Sequence, residues 1–119
     1  MELGSHPDDV VDLERLREVS MGDKEFEGIL LQAFIEDATT QMAALEEAAG
    51  KGAAAALAAA AHSLKGAASN LGMNEAQHIC VALERMNPAE DPDGAEILLR
   101  QLRHELEKIR VFIKDHAGL

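Results

Sequence analysis

A chain of 119 residues has room for one domain and too little material for two separate cores. Its 22 acidic against 11 basic residues give a formal charge of −11, which opposes binding to nucleic-acid phosphates and to anionic lipid surfaces. Hydrophobic residues make up 47% of the chain but aromatics only 3%, and an alanine-rich core of that kind is built from thin, closely packed helices, so the fold class read from it is all-α. No apolar stretch approaches the roughly 20 residues of a bilayer span, and the run from Ala53 to Ala61 is alanine rather than leucine or isoleucine. No membrane insertion is expected. The single cysteine, Cys80, lies among Ile79, Val81 and Leu83, where a buried thiol is the natural reading. Met1 to Asp9 carries no basic or apolar region of the kind that opens a secretory signal, so a reducing cytoplasm is the expected setting. Residues 1–9, with Gly4-Ser5-His6 resembling a tag remnant, read as a tail, and residues 10–119 as the domain.

Taken in chain order, Pro7-Asp8-Asp9 is placed to open a short first helix with Val10, Leu13, Leu16 and Val19 at helical spacing, ending near Ser20 to Gly22. Asp23 is a good N-cap for a long second helix carrying Phe26, Leu30, Ala33, Phe34, Ala38, Met42 and Leu45 on one side, closed by Gly50-Lys51-Gly52. The third helix should run from about Ala53 to Asn70, with Gly72 taking the left-handed turn just past its end. Its core stripe is Leu57, Ala61, Leu64, Ala68 and Leu71. Asn74 and Gln77 resemble a capping box opening a fourth helix, with Ile79, Cys80, Leu83 and Met86 inward and Asn87-Pro88 as its stop. Asp93 and Glu96 form a second such pair before a fifth helix with Leu98, Leu102, Leu106, Ile109 and Ile113. Four long amphipathic helices with short loops predict an antiparallel four-helix bundle with the short first helix laid across it.

On the third helix the core stripe points roughly 140° away from His62, so this histidine faces outward. An outward histidine is commonly inert, but its neighbours are unusual. Gly66 follows one turn later on the same face, where glycine costs about 1 kcal/mol relative to alanine. Its angle, about 40° from His62, keeps it off the core side. A bare backbone there lets another surface approach closely, and Ala55, Ala58, Ala59 and Ser69 keep the surrounding face low. Lys65 flanks the same face, where its ammonium can reach an anion attached to the histidine.

The string His62-Ser63-Leu64-Lys65-Gly66-Ala67-Ala68-Ser69-Asn70-Leu71-Gly72 closely resembles the signature of histidine-containing phosphotransfer (HPt) domains, H-x-L-K-G followed by small residues, an apolar residue and glycine. Ala61 before it and Leu83-Glu84 after it also match, and the helices occur in family order. One departure is Ala53, where the family often starts the signature helix with an acidic residue; the missing cap costs about 1 kcal/mol and leaves the chemistry alone. The resemblance implies that His62 accepts a phosphoryl group from a receiver-domain aspartate and passes it to another receiver. It implies that Lys65 helps hold the phosphoryl oxygens and that Gly66 leaves room for the partner; the low face of Ala55, Ala58, Ala59 and Ser69 around it is then the expected docking face. Histidine's ordinary pKa of about 6.5 leaves a nitrogen lone pair available near neutral pH, which suits attack on phosphorus without a dedicated base. The sequence lacks G-x-x-x-x-G-K-[ST], so no ATP binding is expected. The expected protein is a phosphocarrier rather than an enzyme, with no cofactor and no metal of its own; magnesium and the phosphorylated aspartate belong to the partner.

Three other readings fit parts of the sequence. A metal-binding bundle would draw on His62, His78, His104 and His116, but di-metal bundles pair Glu-x-x-His motifs, and Glu75-Ala76-Gln77-His78 has no second copy. A docking adaptor that transfers nothing would not need His62, Lys65 and Gly66 together. The domain could also serve as a module of a chemotaxis-type or hybrid sensor kinase, and in a hybrid kinase it would be tethered to the inner face of the membrane.

Overall fold

An aspartate opens each of the first two helices. The computed structural model describes residues 10–117, and within them α1 (Leu13–Ser20) and α2 (Lys24–Gly50) follow extended aspartates whose carboxylates accept two backbone N–H groups each. Asp12 accepts from Glu14 and Arg15, and Asp23 from Glu25 and Phe26. The expected opening at Pro7-Asp8-Asp9 lies outside the described residues. α2 then ends in a Schellman turn: Ala53 N–H donates to Ala48 O at 2.9 Å and Gly52 N–H to Ala49 O at 3.2 Å, with Gly52 at φ 65°. The same device closes α3 (Ala54–Asn70), with Met73 N–H on Ala68 O at 2.9 Å and Gly72 at φ 77°. Ala53 caps α3 without any side-chain hydrogen bond, as its lack of a polar group requires.

Two expected capping boxes do not form. Asn74 is already inside α4 (Asn74–Glu84), and Met73 holds the cap position without a side-chain bond. The Schellman turn delivers Met73 directly into the core, where it is fully buried, and that burial fixes the start of the helix ahead of any polar cap. In α5 (Pro92–Ala117) the cap is Asp91, whose carboxylate accepts the Gly94 N–H at 2.9 Å, rather than Asp93. Pro92 takes the first helical position, where its missing N–H costs nothing, and Glu96 turns instead to Arg103 at 3.0 Å. α4 ends at Glu84, ahead of the Asn87-Pro88 stop, and Asn87 organises the loop by accepting the Ala89 N–H at 3.0 Å.

The long helices pack as a closed square in which α2 touches α3, α3 touches α4, α4 touches α5 and α5 touches α2. This is the antiparallel four-helix bundle, and the direction of α5 against α2 is visible in its polar links. Arg103 reaches Glu46, Arg110 reaches Thr39 and His116 reaches Glu27, so one number rises as the other falls. α1 packs on α2 and is tied to the α3–α4 turn by Asp12 N–H on Gly72 O at 2.8 Å and Arg15 Nε on Asn70 O at 3.2 Å. The whole predicted α3 stripe is buried, together with Ile79, Cys80 and Leu83 of α4 and Leu102, Leu106, Ile109 and Ile113 of α5. Met86 and Leu98 are half-buried against this core.

The N-terminal half of α2 departs from expectation. Phe26 and Ala33 are exposed and Leu30 half-buried, while the buried line runs through Phe34, Leu31 and Glu27. Both lines satisfy helical spacing, and the packing of α1 and α5 at that end selects the second. Among the described residues no helix is long and apolar enough to cross a membrane.

Candidate functional site

The inner face of α3, with Leu57, Ala61, Leu64 and Ala68 buried, dictates what lies outside. His62, next to Ala61, is turned to solvent with 69% of its side chain exposed. Ala55, Ala59, Gly66 and Ser69 share its exposed face and Ala58 is half-buried beside it, so the imidazole rises from a floor of small residues. A Cβ built on Gly66 would meet nothing within 4 Å, so tight helix packing does not explain this glycine. Its bare backbone matters only to something that comes from outside.

One participant was not singled out from the sequence beyond its fit to the family pattern. Glu84, in the last turn of α4, bridges the site: its Oε2 lies 3.0 Å from His62 Nδ1 and its Oε1 accepts from Lys65 Nζ at 2.8 Å. The signal for it lay in topology. His62 stands about as far before the Gly72 turn as Glu84 stands after it, and an antiparallel helix pair folded at that turn sets the two side by side. Lys65, then neighbouring His62, holds the Glu84 carboxyl below the usual carboxylate range. An ionised carboxylate only accepts hydrogen bonds, so in this contact Nδ1 is the donor, and among the described residues Nε2 has no hydrogen-bond partner. Lys65 is therefore not a free cation waiting for an anion. Its side chain, 28% exposed, rests against Glu84 within reach of the histidine face.

The other histidines among the described residues go elsewhere. His78 and His104 are exposed on α4 and α5, and His116 is stacked on Phe112 with ring centroids 4.9 Å apart while its Nε2 lies 2.9 Å from Glu27 Oε1. Among the described residues no three His, Cys, Asp or Glu side chains come together as a metal would require. Cys80 is fully buried, and burial pushes its thiol up to about 12, so it is no nucleophile.

The sequence profile of the Hpt domain matches residues 29–112, which contain α3, α4 and most of α2 and α5. Among solved structures, the crystal structure of histidine-containing phosphotransfer protein B (HptB) from Pseudomonas aeruginosa PAO1 superposes with a TM-score of 0.82 at 27% identity, covering 91% of this chain and 94% of that one. No curated protein matches this chain in sequence. With the family pattern spanning most of the bundle and an exposed histidine on its signature helix, the chain belongs to the Hpt domain family, the histidine phosphotransfer carriers of two-component phosphorelays.

Proposed function

We propose that His62 is the phosphoryl-carrying residue and that the group is borne on Nε2. The observation that supports this above the others is the contact of Nδ1 with Glu84, which commits one ring nitrogen and leaves the other uncommitted on a side chain that is 69% exposed. In the forward step Nε2 attacks the phosphorus of a receiver's aspartyl phosphate. Transfer to a second receiver reverses the same displacement. Such transfer asks mainly for in-line placement and charge neutralisation. Lys65, one turn along α3, supplies a positive charge beside the incoming phosphoryl oxygens, and Gly66 with Ala55, Ala58, Ala59 and Ser69 lets the receiver's surface come close. The receiver brings the phosphorylated aspartate and its magnesium, so the carrier itself works without cofactor, nucleotide or metal, in the cytoplasm. The His62, Lys65 and Glu84 trio favours transfer over simple docking, because a docking adaptor has no use for a histidine oriented in this way.

The test is labelling by a phosphorylated receiver with magnesium. The expected product is acid-labile and base-stable, as a nitrogen-linked phosphate is, and it is lost in His62→Gln with no change in helical content. Labelling that survives in His62→Gln, or that disappears only when His78, His104 or His116 is replaced, contradicts the assignment.

A further inference from the structure

Loading His62 upsets a site whose charges are otherwise matched. At rest the Glu84 carboxylate is met by Lys65 Nζ at 2.8 Å and by His62 Nδ1 at 3.0 Å. When Nε2 attacks, its lone pair becomes the N–P bond, and the bond from phosphorus to the donor oxygen breaks with its pair kept by the donor carboxylate. A phosphoryl group with about two negative charges then stands on the ring. Lys65 carries one positive charge and already rests against Glu84, in a chain whose net charge is −11. The loaded site is short of a cation.

We propose that Arg85 is that cation: in the loaded carrier its guanidinium lies over the outer face of α3 and α4 and binds oxygens of the phosphoryl group on His62. The inference rests on His62 being the phosphoryl carrier.

The backbone places the side chain for this. Arg85 follows Glu84 directly and caps α4 with helical dihedrals, φ −97° and ψ −5°. Buried Ala76, Ile79, Cys80 and Leu83 set the core direction of α4. Glu84 stands about 90° round from that direction, on the α3 side, and Arg85 about 170° round, facing out. His62 faces out from α3 at the same level, because Glu84 touches it. Histidine and arginine therefore share one outer face, with the bridging carboxylate between them. The next titratable group on that face of α4, His78, lies seven residues back, about 10 Å along the axis.

Arg85 is also uncommitted. It is exposed, and among the described residues its side chain makes no hydrogen bond or ion pair. Both Glu84 oxygens are taken, and Asp91 in the following loop caps α5 instead. The other basic residues without a carboxylate partner among the described residues, Arg17, Lys24 and Lys114, lie on α1, at the start of α2 and near the end of α5, far from His62. A planar guanidinium can hold two phosphoryl oxygens at once, which an ammonium cannot. A cation at the end of α4 also suits the helix dipole, but that role alone would affect stability and not the phosphoryl group.

Phosphoramidate loads the full chain without a receiver, ammonia leaving with the pair of the broken P–N bond, and the loaded carrier can then be read by 31P NMR and by the guanidinium 15N–1H signals. Loading should shift the Arg85 signal in the wild-type protein and leave it in place in His62→Gln. Arg85→Ala should shift the phosphohistidine 31P signal and lower the equilibrium share of phosphoryl held by the carrier against a receiver by about tenfold. Arg85→Lys should restore part of that share, with helical content and unfolding midpoint close to wild type in both variants. An Arg85 signal that ignores loading overturns the proposal, and so does an unchanged equilibrium in Arg85→Ala. An effect confined to the receiver concentration needed for transfer, with the isolated loaded carrier unaltered, would make Arg85 a docking residue and also overturn it. Absence of label on His62 would remove the carrier reading and the proposal together, whereas a labelled His62 beside an indifferent Arg85 removes the proposal alone.

Discussion

Replacing Gly66 should separate stability from transfer. The residue sits in the interior of α3 with open space where a Cβ would go, so Gly66→Ala meets no clash and recovers the helix-propensity difference of about 1 kcal/mol. For a domain of this size that is a rise in Tm of about 4 °C. Gly66→Gln recovers most of the same gain, but its side chain stands beside the imidazole, since residues four apart on a helix have Cβ atoms about 5–6 Å apart. A docked receiver would have to displace it. At the usual cost of forcing extra atoms into a packed contact, about 1–3 kcal/mol, transfer slows by about 5- to 150-fold. The control is Gly28→Ala in α2, also with nothing within 4 Å of the added carbon, which should raise Tm without touching the rate. The assays are thermal unfolding by circular dichroism and single-turnover transfer from a phosphorylated receiver. A lowered Tm in Gly66→Ala refutes the open-space reading, and an unchanged rate in Gly66→Gln refutes the clearance argument.

Three further outcomes follow from the rest of the molecule. Gly72→Ala puts a Cβ 2.9 Å from Asp12 Cβ and 3.0 Å from Arg15 Cβ at a positive φ of 77°, and should cost about 2 kcal/mol or more; denaturant unfolding with an unshifted midpoint would contradict this. His116→Ala leaves the Glu27 carboxylate, 6% exposed, without its partner and should cost about 1–3 kcal/mol while phosphoryl labelling is retained; an unchanged urea midpoint would show the pair to be idle. Cys80, its thiol raised from 9.0 to about 12 by burial, should resist thiol reagents until the chain unfolds. Because the unfolded thiol ionises first, its contribution to stability is complete below about pH 9 and drains away as pH rises toward 12; fast modification of the folded protein at mild pH would refute the burial.

The sequence displayed its third helix fully and its second only in part. In α3 the stripe from Leu57 to Leu71 has no competitor, because the residues between its members are alanine, glycine or polar, so the outward direction of His62 follows from spacing alone. In α2, Leu30 and Leu31 are adjacent and Phe26 and Glu27 extend two rival lines; hydropathy prefers Phe26, and only the arrival of His116 from α5 makes a buried Glu27 tolerable. The failed capping boxes have a similar origin. Asn74 and Asp93 have the right side chains, but Met73 gains more by entering the core, and Asp91 stands directly before a proline suited to the first helical position. Spacing alone sets Lys65 at the flank of the histidine face, yet its engagement by Glu84 depends on how α4 returns along α3, which no single-helix periodicity encodes.

The site's geometry is supplied by the core and not by its own polar contacts. The His62–Glu84 and Lys65–Glu84 contacts stand close to solvent, with the histidine 69% exposed, and contacts of that kind contribute little to stability. What holds them in register is the row immediately behind: Leu64 and Leu83, both fully buried, and the Gly72 turn fixed between α3 and α4. A slip of one residue in α4 would carry Glu84 about 1.5 Å along its axis and about 100° around it, ending the contact with Nδ1. Polar attractions this weak could not resist such a slip, whereas burying leucines such as Leu64 and Leu83 is worth about 2 kcal/mol for each side chain. The division explains how one face can serve a carrier. On the proposed reading, His62, Lys65, Gly66 and Glu84 can serve phosphoryl exchange because their polar contacts contribute little to keeping the bundle folded.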